Sequence, residues 1–210
     1  MPVLPAGLRS RFQRAYWESR WKHDDPGALW LDREVSAEIV EAVDDGWFAA
    51  GSPAIDLGCG RGDVAAWLAG RGFPSIGVDI APSAIELAKK THRETPGQLE
   101  FLASDVCVDP IPGCQFGVLV DRGCFHQLDA RDRGAYARNL AIAAAPDARF
   151  LLFVKAFRDG VPVGDPGELD RRTREVEGAF ASSFAIDRIA ETTLDRRATL
   201  PGLVFRLTRR

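Results

Sequence analysis

Four aspartates in this chain stand at the ends of apolar runs, and one of them is followed by three alternate glycines. The segment Asp56-Leu57-Gly58-Cys59-Gly60-Arg61-Gly62 joins an apolar stretch at 54–57 to a helical pattern that opens near Asp63. Glycine tolerates φ > 0 and, having no Cβ, lets a ligand lie against the backbone. Strand, glycine turn and helix start in that order build a nucleotide-sized pocket at the strand's carboxyl end. Asp56 narrows the choice of ligand: its carboxylate repels a pyrophosphate but suits a ligand ammonium, held directly or through water. Asp79 follows Gly60 by 19 residues, the separation at which a carboxylate accepts hydrogen bonds from both hydroxyls of a ribose. Ile80 is then placed to lie against an adenine face, Asp105 to accept from the adenine amino group, and Asp121 completes an acidic rim. Each of these acids alone also reads as a helix cap or turn former; the ligand reading rests on the four together.

The elements that must carry this rim follow from periodicity. Val35, Ile39, Val40 and Val43 mark a helix over 34–49, and Gly51-Ser52-Pro53 breaks it before a buried strand at 54–57. Asp63 is placed to cap a helix carrying Val64, Trp67 and Leu68 on one face. A strand at 75–80 runs into a helix opened by Pro82, and a third strand covers 99–103. A wholly apolar strand at 116–120 precedes a helix at 131–145 stopped by Pro146-Asp147, then a strand at 149–156. A Gly/Pro-rich loop at 158–167 leads to a helix with Leu169, Thr173, Val176 and Phe180 in line, and strands at 184–189 and 203–207 close the chain. Strands alternating with helices predict an α/β, Rossmann-like, doubly wound and mostly parallel seven-stranded sheet with helices on both faces. The last two strands have no helix between them, so they pair antiparallel.

Composition excludes several classes. With 210 residues, 46% of them hydrophobic, the chain suits one core domain. A net charge of -3 leaves no electrostatic footprint for nucleic acid. No apolar run approaches the ~20 residues of a membrane span, and no secretory signal is visible, so a cytoplasmic protein with reduced cysteines is expected. Cys59, Cys107, Cys114 and Cys124 form no C-x-x-C pair and have no histidine at zinc-ligand spacing, so no metal is expected. A dinucleotide dehydrogenase is the competing reading, but its G-x-G-x-x-G fingerprint, counted from Gly58 and Gly60, requires glycine where Asp63 stands.

The segment 56–62 resembles the first motif of the class I S-adenosylmethionine-dependent methyltransferases. Val78-Asp79-Ile80-Ala81-Pro82-Ser83 is similar to their second motif and Ala103-Ser104-Asp105-Val106 to their third, over a region from residue 34 to the C-terminus. The resemblance implies S-adenosyl-L-methionine as cofactor and S-adenosyl-L-homocysteine as product. Gly58, Cys59, Gly60 and Gly62 would approach its methionyl part, with Asp56 and Asp121 nearby. Asp79 and Ile80 would hold the ribose and adenine, and Asp105 with Val106 the adenine edge.

Asp121-Arg122-Gly123-Cys124-Phe125-His126-Gln127-Leu128 resembles the D-R-G-x-x-H-x-L run of small bacterial methyltransferases and is reminiscent of thiopurine and thiol methyltransferases. Asp121, Arg122 and His126 are the candidate catalytic residues. His126 is available as a general base or an orienting group, or as a helix cap; Arg122 clamps an anionic substrate or pairs with an acid. Residues 1–33 form a helical segment, with Leu8, Phe12 and Tyr16 in a helical stripe. Trp17-Glu18-Ser19-Arg20-Trp21 again resembles the thiol-methylating relatives, so Tyr16, Trp17, Trp21 and Trp30 are expected as a lid over the domain at 34–210. Cys124, Phe125 and Arg158 are the remaining candidates for the substrate side. Lys155, Arg158 and Asp159 after the fifth strand lack the carboxylates of an oxygen-ligand magnesium site, so metal-independent, in-line transfer is expected. The acceptor is then a small, planar or apolar molecule bearing a thiol, hydroxyl, amine or ring nitrogen, bound by a monomer or homodimer. A relative that uses the sulfonium to alkylate without moving its methyl group is the alternative.

Overall fold

The computed structural model describes residues 5–23, 34–111, 113, 115–157, 165–194 and 200–210. Trp30, Cys114 and Arg158 lie outside the described residues. In chain order the elements are α1 (Ala6–His23), α2 (Ala37–Asp44), β1 (Ala54–Leu57), α3 (Asp63–Gly70), β2 (Ser75–Asp79), α4 (Pro82–Thr91), β3 (Leu99–Ala103), β4 (Phe116–Arg122), α5 (Arg133–Ala143), β5 (Ala144–Lys155), α6 (Pro166–Phe180), β6 (Phe184–Thr193) and β7 (Pro201–Arg209), with a 3-10 turn at Phe125–Gln127.

The strands form one seven-stranded sheet in the order β3-β2-β1-β4-β5-β7-β6. From β1 to β5 all neighbours are parallel, whereas β7 runs antiparallel to both β5 and β6. The expected α/β architecture and its antiparallel closing strand are therefore present. Side chains alternate between two cores because the strand period is two. Val118, Val120, Leu151 and Phe153 pack under Ile39 of α2 and Leu68 of α3. Leu119, Phe150 and Leu152 pack under Tyr136 and Leu140 of α5 and Phe180 of α6. Burial on both faces explains why these strands read as unbroken apolar runs. Strand order reverses between β1 and β4, and that reversal opens a crevice at the carboxyl ends, where ligands of such sheets bind.

Local chemistry moved several boundaries. The helix expected over 34–49 ends at Asp44: Gly46 turns left-handed with φ 72°, and the Phe48 N–H donates back to the Ala42 carbonyl. Pro146-Asp147 does not stop a helix but lies inside a bulged β5, with Asp147 at φ 58° and the β4 register slipping between Phe116 and Val118. Asp63 is not the cap of α3. Gly62 holds that position with φ 81°, and the Ala65 N–H is instead accepted by Asp56 Oδ2 at 3.2 Å. On α6 the innermost line is Glu168, Arg172, Val176 and Phe180, one residue off the expected stripe at its start. Glu168 and Arg172 form a buried ion pair, and Arg172 also reaches the Phe157 carbonyl after β5. The stripe Leu8, Phe12 and Tyr16 of α1 faces outward, 38%, 60% and 51% exposed, because α1 docks through its opposite, polar and tryptophan-bearing side.

Candidate functional site

The crevice holds a cavity of about 360 Å³. Its floor is the turn after β1. There the Cys59 N–H donates to the Val78 carbonyl at 2.9 Å, the Gly62 N–H to the Cys59 carbonyl at 2.8 Å, and the Gly60 N–H to Asp79 Oδ2 at 3.0 Å. Gly62 needs both its freedoms: φ is 81°, and a Cβ would stand 2.3 Å from the Phe101 ring. That contact also places Gly62 against α4 and β3 rather than in the cavity lining, so it shapes the turn instead of meeting a ligand. Gly58, Cys59 and Gly60 do line the cavity. The Cys59 thiol is packed against Gly77, and burial raises its pKa well above the ordinary value, which makes it a packing group rather than a nucleophile.

Asp56, Asp79, Ile80, Asp105 and Val106 also line the cavity. Burial pushes the Asp56 carboxyl up to about 7, against the opposing pull of the Ala65 N–H, with Asp121 and Asp79 adding to the rise. A buried acid poised near neutrality is completed by a cation, which a ligand ammonium or sulfonium supplies. Burial likewise raises Asp79, whose two oxygens accept the Gly60 and Ala81 N–H groups. Those bonds fix the carboxylate at the strand end and leave further lone pairs toward the cavity. Asp105 accepts the Cys107 N–H at 2.9 Å and the hydroxyl of Ser10 from α1.

Asp121 departs from its expected place. It has no solvent exposure and is absent from the cavity lining. Its Oδ1 accepts the Gly123 and Cys124 N–H groups at 2.9 and 2.7 Å, and its Oδ2 accepts the Phe125 N–H at 2.9 Å and the Tyr136 hydroxyl at 2.5 Å. With four donors spent on it, Asp121 is the knot that folds the 3-10 turn and has nothing left for cofactor or proton transfer. Phe125 is likewise displaced from the substrate side: it is fully buried between Tyr136 and Phe180 in the α5–α6 core. Tyr16 points to solvent, edge-on to Trp17 and beneath Arg20.

The same turn brings Arg122, Cys124 and His126 to the cavity. Cys124 packs under Gly58, where a Cβ would stand 2.8 Å from the Cys124 Cβ. His126 takes the place that β4 would occupy beside the end of β5, its Nδ1 accepting the Lys155 N–H at 3.3 Å. Burial drives its pKa down to about 3, helped by Lys155, Arg172 and Arg133; the Phe153 carbonyl opposes this, but only the Lys155 N–H meets the ring with hydrogen-bond geometry. With its Nδ1 accepting, a neutral His126 carries its proton on Nε2, the arrangement of an orienting donor.

From α1, Gln13, Trp17 and Trp21 form one wall, and Trp21 covers Gly60 with its ring carbon 2.8 Å from where a Cβ would lie. Lys155, Phe157, Leu194 and Leu200 close the β5–β7 side. Gln13 went unnoticed in the sequence, although it sits one helical turn before Trp17 and two before Trp21, which is the signal that finds it. Glu34 lies at the rim.

Residues 54–147 match the family described as "Methyltransferase domain". The chain is 32% identical over 157 residues to the magnesium-protoporphyrin O-methyltransferase of Rhodobacter capsulatus, covering 67% of each. It is 29% identical over 144 residues to the 2-heptyl-1-hydroxyquinolin-4(1H)-one methyltransferase of Mycobacteroides abscessus, covering 66% of this chain and 63% of that protein. The chain thus spans less than two thirds of that relative, and less than half of the ribosomal RNA small subunit methyltransferases it also matches. Its fold superposes on the 1,6-didemethyltoxoflavin-N1-methyltransferase of Burkholderia thailandensis with a TM-score of 0.73 at 20% identity, covering 100% of this chain and 92% of that one. The chain belongs to the class I S-adenosylmethionine-dependent methyltransferases, and S-adenosylmethionine is the cofactor of that family. Among the described residues no helix is long and apolar enough to cross a membrane.

Proposed function

We propose that this protein transfers the methyl group of S-adenosylmethionine to a small planar molecule, in line and without a metal, at the cavity between β1 and β5. The observation that carries this reading is that one continuous cavity joins two unlike halves. One half is an acidic glycine-turn cradle built by β1, β2 and β3. The other is an aromatic, cationic face built by β4, β5 and α1. The residues fit the cofactor: Asp56 calls for a cation, Asp79 presents a fixed carboxylate beside Gly60, and Asp105 with Val106 stands at the third strand end. When bound, S-adenosylmethionine supplies an electrophilic methyl carbon on a positively charged sulfur. The protein's work is then to hold the acceptor in line with that carbon and to keep water out. Trp17 and Trp21 of α1 serve the second task as a lid formed by the segment 1–33, and a cavity of about 360 Å³ favours a small acceptor over a macromolecule.

Calorimetry with S-adenosylhomocysteine tests this. The expected result is micromolar binding that Asp79→Ala weakens by roughly a hundredfold, the worth of two charge-assisted hydrogen bonds. No binding at millimolar ligand overturns the reading.

A further inference from the structure

We propose that the acceptor reacts as an anion: a planar phenol- or thiol-type acid that enters deprotonated and is held by Arg122, Lys155 and the Nε2–H of His126. This rests on the methyltransferase reading and names the substrate class it leaves open.

Charge is partitioned across the cavity. The acids that line it stand at or just beyond the carboxyl ends of β1, β2 and β3 (Asp56, Asp79, Asp105) and at the start of α3 (Asp63), and Glu34 lies exposed at the rim. On the β4–β5 side the charged groups among the described residues are Arg122 and Lys155. Arg122 Nη2 donates to the Leu194 carbonyl at 3.3 Å and forms no ion pair among the described residues, although its charge is felt at Asp56. The Lys155 ammonium lies 5.7 Å from the centre of the Phe157 ring, again with no carboxylate partner among the described residues. Two half-buried cations with no ion-pair partner among the described residues are compensated when an anion binds between them.

His126 adds direction. Its Nδ1 lone pair is committed to the Lys155 N–H, so a neutral ring carries its proton on Nε2, which makes no hydrogen bond among the described residues. The ring is ringed by cations, Lys155 on β5, Arg133 on α5 and Arg172 on α6, while Asp121 behind the turn is sealed by its four donors. A histidine in that surrounding stays neutral and donates; it does not take a proton. With no other base on the acceptor side among the described residues, the nucleophile arrives without its proton. Trp17 and Phe157 supply flat walls for an aromatic acceptor.

The step balances without proton transfer. The anionic oxygen or sulfur bonds to the methyl carbon as the carbon–sulfur bond of the sulfonium breaks, and that bond's electron pair stays on the departing sulfur. An anion and a cation become a neutral methyl ether or thioether and a neutral sulfide. Arg122 and Lys155 lower the acceptor's pKa and so select the anion at neutral pH.

The test uses phenols and thiophenols of graded acidity, with matched anilines as neutral controls, in calorimetry on the protein loaded with S-adenosylhomocysteine and in methyl-transfer assays. Expected are a kcat/KM that rises through each acceptor's own pKa and is then flat, and little turnover of anilines. Arg122→Met and Lys155→Met each raise KM about tenfold or more, as for the loss of one charge-assisted contact, with S-adenosylhomocysteine affinity unchanged. His126→Gln, which keeps an N–H donor, retains activity that His126→Ala loses, and neither variant moves the pH limb. The inference is overturned if no phenol or thiophenol binds the loaded protein at millimolar concentration, if anilines react equally well, or if the limb shifts with His126 instead of with the acceptor. Failure of S-adenosylhomocysteine itself to bind would sink the methyltransferase reading, a separate outcome.

Discussion

The hydroxyl of Tyr136 on α5 donates to Asp121 Oδ2 across 2.5 Å, and neither residue has any solvent exposure. This bond ties the turn that carries Arg122 and His126 to the helix behind it. Tyr136→Phe removes one of four donors from a buried carboxylate without opening a cavity. The expected cost is about 1–3 kcal/mol in urea unfolding, together with a lower kcat and an unchanged affinity for S-adenosylhomocysteine. A loss of cofactor affinity equal to the loss of rate would instead put Asp121 in the cofactor site.

Three raised carboxyls, Asp56, Asp79 and Asp121, set a pH dependence. Burial holds Asp56 at about 7 and Asp121 at about 6 in the folded chain, against an ordinary value of 3.8. Between those limits the folded chain binds more protons than the unfolded one, so the unfolding free energy falls as pH rises. Their contribution is fully present below about pH 4 and is lost as pH climbs through 6 and 7. Urea titrations across that window should show the decline, and Asp56→Asn should remove a large part of it. S-adenosylhomocysteine, bringing an ammonium to Asp56, should release a proton on binding near pH 6. Calorimetry in two buffers of different ionisation enthalpy reads that proton directly, and identical apparent enthalpies would show that no cation reaches Asp56.

Gly62 offers a steric test of the cradle. A Cβ there meets Phe101 at 2.3 Å and Ala88 at 3.1 Å, on a backbone at φ 81°. Overpacking and left-handed strain add, so Gly62→Ala should cost about 3 kcal/mol. Thermal unfolding checks the sum. Gly70→Ala is the control, since nothing lies within 4 Å of its added Cβ and it sits in helix α3.

The cofactor half was legible because it is built from backbone turns and strand ends, where residue type reports conformation directly. Asp56, Asp79 and Asp105 stand where the period of the strands and the glycine spacing put them. The acceptor half was less legible because it depends on which way neighbouring side chains face. Phe125 and His126 are adjacent, yet the 3-10 turn sends one into the core and the other to the cavity. Tyr16 and Trp17 divide in the same way on α1, where Leu8, Phe12 and Tyr16 look like a buried stripe and are the exposed one. Asp121 matched the acids of the other strand ends in position but not in role, since only three-dimensional proximity brings Tyr136 to it. The buried Glu168–Arg172 pair was invisible for a related reason: each charge is tolerated only because the other is present.

The last prediction concerns how α1 is held. No residue of α1 is buried, and beside the Trp21 ring over Gly60 it is held by polar contacts: Arg9 to Asp132, Ser10 to Asp105, and Glu18 Oε2 accepting the Ser83 N–H and hydroxyl, each at 3.0 Å, at the start of α4. Ser83 lies in the first turn of α4, whose unpaired N–H groups and positive dipole end favour a carboxylate. A helix attached this way opens more easily than one seated on a core. Glu18→Gln keeps an acceptor and loses the charge, whereas Glu18→Ala loses both. The alanine variant should therefore speed amide hydrogen exchange across 6–23 by about fivefold, the worth of roughly 1 kcal/mol, with the glutamine variant in between. Because Trp21 of the same helix covers Gly60, faster opening should also shorten the residence time of S-adenosylhomocysteine in stopped-flow dissociation. Exchange that quickens while the dissociation rate stays constant would mean that α1 is a docked helix but not a lid.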